Sequence, residues 1–221
     1  MPASGNNSAE RDRAPRGIYV ITPDWADTQR LVAAVTAAIR GGAAAVQYRN
    51  KAASLALQRE QAEALAHITH SAGLPFFVDN DAALALAVGA DGLHIGRMDG
   101  DPAEVRAKLP RAMMLGVSCY ADLARVQTAM RAGASYVALG VMFPSQTKPD
   151  AAIAPAGIIG AARQRGAHVV ASGGINGENI GSVAADGAQA VGVVSAVFDA
   201  TEPERAAAEL AARFVSGARE I

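Results

Sequence analysis

Apolar segments of this 221-residue sequence are repeatedly followed by residues of types that bind phosphate groups or metal ions. These residues are Gln47, Arg49, Lys51, Asn80, Asp81, His94, Asp99, Ser118, Ser145, Thr147, Lys148, Gly173, Gly174 and Ser195. If the apolar segments are parallel strands of one closed barrel, their carboxyl ends meet at a single mouth and these residues share a pocket. Cations, carboxylates and glycine turns at such a mouth predict a metal-assisted site for phosphorylated ligands.

Gln47, Arg49 and Lys51 alternate along the chain, so their side chains lie on the same side of an extended segment. Arginine offers a planar fork of donors and lysine a point charge, a combination that suits an oligophosphate. Loop charges also commonly do no more than face solvent, and this alternative stays open for Arg49 and Lys51. Gln47 favours a binding role, because it is an inward-pointing polar residue after the apolar residues 44–46.

Two acids follow neighbouring apolar segments: Asp81, together with Asn80, follows residues 76–78, and Asp99 follows the segment that contains His94. Two carboxylates from adjacent loops can share Mg²⁺ while leaving coordination positions for phosphate oxygens. Zinc fits less well, because the chain has no cysteine–histidine ligand cluster. Asn80 and Asp81 also suit a helix cap, and His94 suits a hydrogen-bonded structural role, so both alternatives stay open.

The longest loop contains Ser145, Thr147 and Lys148, whose hydroxyls and amine are a reasonable phosphate grip. A polar turn between two prolines is the alternative. The pair Gly173-Gly174 allows backbone N–H groups to approach an anion, and loops after the last two strands of barrels often bind phosphate.

Strand-like segments recur at intervals of roughly 20 to 25 residues, the length of one strand–helix unit. Strands are predicted at residues 17–22, 44–49, 75–79, 92–95, 113–118, 136–139, 168–172 and 190–194. Helices are predicted at residues 28–40, 55–72, 81–88, 102–109, 122–132, 157–165, 176–185 and 202–216. Continuously apolar strands are typical of a parallel sheet buried on both faces. The pattern predicts an α/β fold, a single (β/α)8 TIM barrel, with a doubly wound open sheet as the alternative.

Residues 1–16 mix proline, serine, asparagine and charged residues without an apolar centre. They predict a flexible, disordered N-terminal tail and no signal peptide. Residues 17–221 are then the barrel and the catalytic domain.

The net charge of −1 gives no general attraction to nucleic acid or to an anionic membrane. No apolar run approaches the roughly 18 residues of a membrane span. The single cysteine, Cys119, excludes an intramolecular disulfide and has no apparent base partner for nucleophilic catalysis. These features predict a cytoplasmic protein that acts on small molecules, without nucleic-acid or membrane partners. Whether it forms a homodimer is left open.

Several blocks of the sequence, in order, resemble the thiamine phosphate synthase family. The blocks are IYVITPD, VQYRNK, FVDNDAALALAVGADGLHIGRMDGD, LGVSCY, ASYVALGVMFPSQTKPDA, SGGIN and VGVVSAVF. They extend from Gly17 to about Phe198, and several blocks in the right order are more specific than any single motif.

The resemblance implies a TIM-barrel transferase that joins a pyrimidine diphosphate to a thiazole phosphate and releases pyrophosphate. It implies that Gln47, Arg49, Lys51 and Asn80 hold the pyrimidine diphosphate. It implies that Asp81 and Asp99 bind the cofactor Mg²⁺, and that Ser118 and Lys148 support the diphosphate together with Arg49 and Lys51 as catalytic residues. It implies that Ser145, Thr147, Gly174, Val194 and Ser195 hold the thiazole phosphate.

Some positions depart from the commonest pattern of that family. Ser145 stands where threonine is frequent, and Arg97 and Met98 stand where glutamine and glutamate are frequent. Ser172 stands where an apolar residue is frequent. Arg97 either adds a contact to the diphosphate or faces solvent.

Two other functions remain as alternatives. A thiazole tautomerase of the same superfamily would need the thiazole phosphate site but not the full diphosphate apparatus. A non-catalytic sensor of phosphate ligands would not need two acids placed for a metal. Retention of the cations and of both acids favours the transferase.

Overall fold

The computed structural model describes residues 13–144 and 152–218. Eight parallel strands form a closed barrel in which each strand pairs with its neighbours in the sequence. The first strand pairs with the second on one side and with the eighth on the other. This closure confirms the predicted TIM barrel and excludes the open sheet.

The strands lie within about two residues of their predicted bounds. They are β1 (Gly17–Ile21), β2 (Ala43–Tyr48), β3 (Phe76–Asp79), β4 (Gly92–Ile95), β5 (Met114–Tyr120), β6 (Tyr136–Leu139), β7 (Val169–Ser172) and β8 (Ala190–Val193).

Helices alternate with the strands and cover the outside of the barrel. Those within the described ranges are α1 (Thr28–Arg40), α2 (Leu55–Ser71), α3 (Ala82–Ala87), α4 (Pro102–Lys108), α5 (Leu123–Arg131), α6 (Ile158–Gln164), α7 (Ile180–Ala185), α8 (Ser195–Phe198) and α9 (Pro203–Ala218). None of them is long and apolar enough to cross a membrane.

Local sequence explains where several helices begin. The side chains of Asp27, Ser54 and Asp81 each accept a hydrogen bond from a backbone N–H in the first turn of the helix that follows. Such caps satisfy donors that the helix itself leaves unpaired. The predicted start of a helix at residue 176 is wrong, because α7 begins only at Ile180. Asn176 and Asn179 instead bond to nearby backbone N–H groups, which competes with helix formation.

Two apolar layers hold the fold together. The larger one lies between the barrel and its helices, and the smaller one fills the barrel interior. The interior layer consists of Ala14, Tyr19, Ala45, Phe77, Met114, Tyr136, Val170 and Ala190. Gly116 leaves room for the ring of Tyr136, and Gly92 leaves room for the ring of Phe77. Side chains therefore fill the interior of the barrel, so a pocket can form only at one of the two ends of the barrel.

Residues 13–16 close the amino-terminal end of the barrel. Ala14 is buried in the interior layer, and the ring of His168 lies 2.7 Å, Nε2 to oxygen, from the carbonyl of Pro15. Arg13 donates to a carboxylate oxygen of Asp91 at 3.0 Å. Among the described residues, packing against the barrel thus includes Arg13, four residues before the predicted bound of the barrel.

Candidate active site

Inward-facing polar side chains line the carboxyl end of the barrel, on strands that are direct neighbours. Asp79 on β3 is paired in register with His94 on β4, and Ser118 lies near the end of β5. Gln47 lies on the adjacent strand β2. Because all the strands are parallel, the loops that follow them open on the same rim.

A pocket of about 120 Å³ opens between the loops after β2 and β3. Its lining includes Arg49, Lys51, Asp79, Asn80 and Asp81. Four of these five residues were selected from the sequence, and the fold brings them together. The pocket combines two cations with two carboxylates and an amide, so it can hold an anion and a cation side by side.

Arg49 is held by acids on both sides. Its Nη1 lies 3.1 Å and 3.2 Å from the two carboxylate oxygens of Asp24, and its Nε lies 3.7 Å from Oδ2 of Asp79. Asp24 also accepts a hydrogen bond from the backbone N–H of Lys51 at 3.0 Å. Asp24 is a site residue that sequence reasoning missed. Its position directly after β1, in a loop that opens on the same rim, is the signal that could have identified it.

Asn80 adopts a left-handed backbone conformation, with φ of 67°. With its amide nitrogen turned toward Asp79, it donates to both carboxylate oxygens at 2.7 and 3.0 Å. A non-glycine residue in this conformation is uncommon and marks a position fixed by its surroundings. The turn after β3 is therefore shaped by Asn80 and leads directly into Asp81.

Asp81 and Asp99 each use one carboxylate oxygen to shape their own loop. Oδ1 of Asp81 accepts from the N–H of Leu84 at 2.9 Å and caps α3. Oδ2 of Asp99 accepts from the N–H of Gly96 at 2.6 Å. The capping interpretation of Asp81 is confirmed. The second oxygen of each carboxylate makes no hydrogen bond in the described part of the chain, so it is able to coordinate a cation.

The donor chemistry at this rim fits a hard divalent cation. Within residues 13–144 and 152–218, no group of three His, Cys, Asp or Glu side chains is arranged around one point. Mg²⁺ commonly uses only one or two carboxylates and completes its shell with water and phosphate oxygens. Asp81 and Asp99 supply carboxylates of this kind on the loops after β3 and β4, and Asp81, but not Asp99, is among the residues that line the pocket.

Ser118 and His94 form a partly buried hydrogen-bonded pair near the carboxyl ends of β5 and β4. His94 Nε2 lies 2.8 Å from Ser118 Oγ, and His94 Nδ1 lies 2.9 Å from the hydroxyl of Tyr136. The carbonyl of Ser118 accepts from Nε of Arg125 at 2.7 Å, which fixes the strand end. His94 thus has hydrogen-bond partners at both ring nitrogens, as its structural interpretation predicted.

Arg97 lies on the loop that carries Asp99. Its guanidinium carbon lies 5.0 Å from the centre of the Tyr120 ring, and its backbone N–H donates to the Tyr120 hydroxyl at 3.2 Å. The aromatic ring supplies a cation–π contact that orients an exposed arginine. Neighbouring Met98 is 92% exposed and is not part of any core.

Gly173 and Gly174, on the opposite side of the mouth, both have positive φ, 91° and 66°. A Cβ at Gly174 would collide with the carbonyl oxygens of Phe143 and Pro144, so glycine is required for the loops after β6 and β7 to meet. Val194 precedes α8, a short helix that the sequence did not predict and that begins at Ser195. Ser145, Thr147 and Lys148 lie outside the described residues.

Cys119 follows Ser118 on β5 but belongs to the outer apolar layer. Burial raises the pKa of its thiol to about 12. A thiol that stays protonated is a poor nucleophile. Cys119 is therefore not a candidate nucleophile, and it is not among the residues that line the pocket at the mouth.

Comparisons with known proteins show what this chain is similar to. The profile of the family described as thiamine monophosphate synthase matches residues 18–197. A thiamine-phosphate synthase of Bordetella pertussis is 47% identical over 209 residues, which cover 91% of this chain and 96% of the relative. A thiamine-phosphate synthase of Chromobacterium violaceum is 44% identical over 203 residues, covering 92% and 97% of the two chains.

A solved structure is similar over nearly the same length. The thiamine phosphate pyrophosphorylase from Pyrococcus furiosus superposes with a TM-score of 0.82 at 31% identity. The superposition covers 94% of this chain and 98% of the other. The similarity thus extends over nearly the whole chain.

Proposed function

Because the chain belongs to the thiamine monophosphate synthase family and is a transferase of thiamine biosynthesis, we propose that it couples 4-amino-2-methyl-5-(diphosphooxymethyl)pyrimidine to thiazole phosphate. The products are thiamine phosphate and pyrophosphate, and carbon dioxide leaves as well when the thiazole is carboxylated. The observation that carries the proposal is the pocket between the loops after β2 and β3. It holds Arg49, Lys51, Asn80 and Asp81 together at the mouth of the barrel.

The pyrimidine diphosphate occupies this pocket and the floor beneath it. Arg49 and Lys51 bind the diphosphate oxygens, and Gln47 and Asn80 contact the rest of the molecule. In the free protein, Asp24 and Asp79 compensate the charge of Arg49. Ion pairing of this kind holds the guanidinium between Asp24 and Asp79, so that it binds an anion with less loss of side-chain entropy.

Asp81 and Asp99 hold Mg²⁺ through the carboxylate oxygens that do not bond to their own loops. When bound, the ion supplies positive charge to the diphosphate leaving group. The backbone bonds of the other two oxygens fix the direction in which each carboxylate points.

Departure of the diphosphate is the step that the protein assists. Breaking the carbon–oxygen bond leaves a pyrimidinylmethyl cation and places negative charge on the diphosphate. Arg49, Lys51 and Lys148 stabilise that negative charge, and Ser118 donates a hydrogen bond to it. Fixed positive groups are effective here because they need not reorganise as the charge develops.

The thiazole phosphate binds on the other side of the mouth, at Ser145, Thr147, Gly174, Val194 and Ser195. The thiazole nitrogen already carries a lone pair and attacks the pyrimidinylmethyl carbon without a general base. Holding both phosphates at fixed positions brings nitrogen and carbon together, which supplies much of the remaining acceleration. We also propose a cytoplasmic location for this chemistry.

A coupling assay tests the proposal. Purified protein is supplied with both substrates, with and without a metal chelator, and pyrophosphate and thiamine phosphate are quantified. We expect both products in equal amounts, loss of both with chelator, and recovery when Mg²⁺ is added back. Tautomerisation of the thiazole without coupling would instead identify an isomerase. Binding of either phosphate compound without turnover of both would identify a sensor.

A further inference from the structure

Five polar side chains form a continuous hydrogen-bonded series across the interior of the barrel, from β2 to β5. Gln47 Nε2 lies 3.0 Å from the Tyr19 hydroxyl, which lies 3.0 Å from the Tyr136 hydroxyl. Tyr136 in turn lies 2.9 Å from His94 Nδ1, and His94 Nε2 lies 2.8 Å from Ser118 Oγ. We refer to Gln47, Tyr19, Tyr136, His94 and Ser118 as the floor series.

The floor series runs through the interior layer, to which Tyr19 and Tyr136 belong, and ends at Gln47 and Ser118. Tyr19 and Tyr136 are 1% exposed, Gln47 is 3% exposed and His94 is 7% exposed. The rings of His94 and Tyr136 are stacked, with centroids 5.6 Å apart, while Tyr19 meets Tyr136 edge-on. These packing contacts fix the rings and therefore the positions of both phenol oxygens.

Both phenols keep their protons. Burial, and the nearby negative charge of Asp79, raise the pKa of Tyr19 and of Tyr136 well above the usual value for tyrosine. Each phenol must therefore donate one hydrogen bond as well as accept one. A buried hydroxyl that donates to nothing would lose most of the stabilisation that compensates its desolvation.

The donors can be followed from one end of the floor series to the other. The amide nitrogen of Gln47 donates to Tyr19, so the Tyr19 hydroxyl donates to Tyr136. Tyr136 then donates to His94 Nδ1, which must accept. The ring proton of neutral His94 is consequently on Nε2 and is donated to Ser118 Oγ. Ser118 Oγ accepts this hydrogen bond from His94, so the Ser118 hydroxyl can donate its own proton to a ligand at the mouth.

We propose that Tyr19, Tyr136 and His94 are positioning residues that fix the direction of every hydrogen bond at the floor of the site. The inference rests on the proposed function, in which Gln47 and Ser118 contact the pyrimidine diphosphate. The floor series presents Gln47 Oε1 to the ligand as an acceptor and the Ser118 hydroxyl as a donor. A ligand is therefore selected that has a donor group near Gln47 and an anionic or lone-pair acceptor near Ser118.

If the hydrogen bonds of the floor series ran in the opposite direction, the site would present different groups to the ligand. If Gln47 turned its carbonyl oxygen toward Tyr19, every donor would reverse and the His94 proton would lie on Nδ1. Ser118 would then donate to His94 and could no longer donate to the ligand. The position of the His94 proton thus reports the direction of the whole floor series.

Nitrogen-15 NMR of the ligand-free protein at neutral pH measures that position directly. A His94→Gln variant assigns the signals of His94 among those of the four histidines of the chain. We expect His94 to be neutral with its proton on Nε2. A proton on Nδ1, or a doubly protonated ring, would overturn the proposal. The measurement needs no substrate, so it tests the direction of the floor series even if the coupling assay fails.

Removing one hydroxyl tests the effect on catalysis. In Tyr136→Phe, His94 Nδ1 loses its donor, so we expect the two neutral forms of His94 to be mixed. We also expect kcat to fall roughly tenfold while KM for the pyrimidine diphosphate changes less than about threefold. An unchanged His94 spectrum, or a loss confined to KM, would contradict a positioning role. If the variant does not fold, the nitrogen-15 spectrum of His94 in the wild-type protein still tests the proposal.

Ser135→Ala is the matched control. Ser135 is 1% exposed, and its hydroxyl accepts from the N–H of Leu115 at 3.2 Å at the start of β6, away from the mouth. The variant loses one buried hydroxyl, as Tyr136→Phe does. We expect His94 and kcat to be unchanged in it. A similar fall of kcat in both variants would mean that general loosening of the barrel explains the effect, and the proposal would be wrong.

Discussion

At the amino-terminal end of the barrel, Asp91 is surrounded by donors from the protein itself, whereas at the carboxyl end Asp81 is bonded through one oxygen only. Asp91 binds Arg13, the ring of His70 and the backbone N–H of Phe76. Asp81 binds the N–H of Leu84 through Oδ1. Both acids shape their loops, but only Asp81 retains an oxygen for a ligand among the described residues.

The difference between the two ends follows from how each is closed. Residues 13–16 cover the amino-terminal end, where Ala14 is buried and the ring of His168 lies beside the carbonyl of Pro15. Nothing in the described chain covers the pocket at the mouth, so its polar groups can be oriented without being fully bonded. Stability is concentrated at one end and reactivity at the other.

Asp81→Asn should have the largest effect, and it should affect activity alone. Asparagine caps helices as well as aspartate does, so α3 remains capped while the charge that holds the cation is lost. We expect kcat to fall about 10²- to 10³-fold, the range seen when one major electrostatic group is removed from an active site. Steady-state kinetics and thermal melting measure the two quantities.

Asp27→Asn is the control for that variant. Oδ1 of Asp27 caps α1 by accepting from Arg30 at 2.9 Å, the same distance as the cap made by Asp81. We expect neither activity nor melting temperature to change appreciably. Should Asp81→Asn melt well below wild type while keeping its activity, Asp81 would be a structural cap only.

Gly174→Ala should have the next largest effect, because two costs add. An L-residue at φ of 66° costs about 1–2 kcal/mol, and the collision with Phe143 and Pro144 costs about 1–3 kcal/mol more. Urea denaturation should therefore show a loss of roughly 3 kcal/mol.

Gly89 provides the comparison at the other end of the barrel. It has nearly the same φ, 65°, but a Cβ there would meet nothing within 4 Å. Gly89→Ala should cost only about 1 kcal/mol, from the backbone conformation alone. Equal losses in the two variants would show that the close approach of the loops at the mouth contributes nothing.

Asp91→Ala should lower stability without altering catalysis. It removes the acceptor for three donors and leaves the N–H of Phe76 without its carboxylate partner, which costs about 2 kcal/mol. Activity per folded molecule should stay within about twofold of wild type. Asp186→Ala is the control, since Asp186 is exposed and its side chain makes no hydrogen bond or ion pair in the described ranges. A large fall of kcat in Asp91→Ala would contradict the claim that the amino-terminal end of the barrel contributes to stability and not to catalysis.

Much of this division could be read from the sequence. The eight apolar segments predicted the strands closely, because a parallel strand buried on both faces leaves a continuous apolar run. The positions of Arg49, Lys51, Asn80 and Asp81 after those runs predicted that they meet at one rim, and the pocket joins them.

Other features depend on distances that a sequence does not encode. Tyr19 and Tyr136 were assigned only to apolar strands, and their hydroxyls become functional candidates because the barrel closes to a separation of 3.0 Å. Packing of residues 13–16 was missed for a different reason. Four residues of mixed composition carry no periodic pattern, so only contact with the finished barrel identifies Ala14 as part of its core.

The Cys119→Ala substitution should give the smallest effect on stability. It tests whether Cys119, next to Ser118 on β5, lies on the buried outer face of that strand. The unfolded chain loses the thiol proton near pH 8.5, whereas burial raises the pKa in the folded protein to about 12. Above about pH 8.5 the folded state therefore binds more protons than the unfolded state, so stability falls as pH rises toward 12. In urea denaturation, the stability advantage of wild type over Cys119→Ala should shrink by about 1 kcal/mol between pH 7 and pH 9. Tyr19, Tyr48 and Tyr136 are present in both proteins, so their titration cancels. An advantage that stays constant with pH, or fast reaction of the native thiol with a thiol reagent, would place Cys119 on an accessible face beside Ser118.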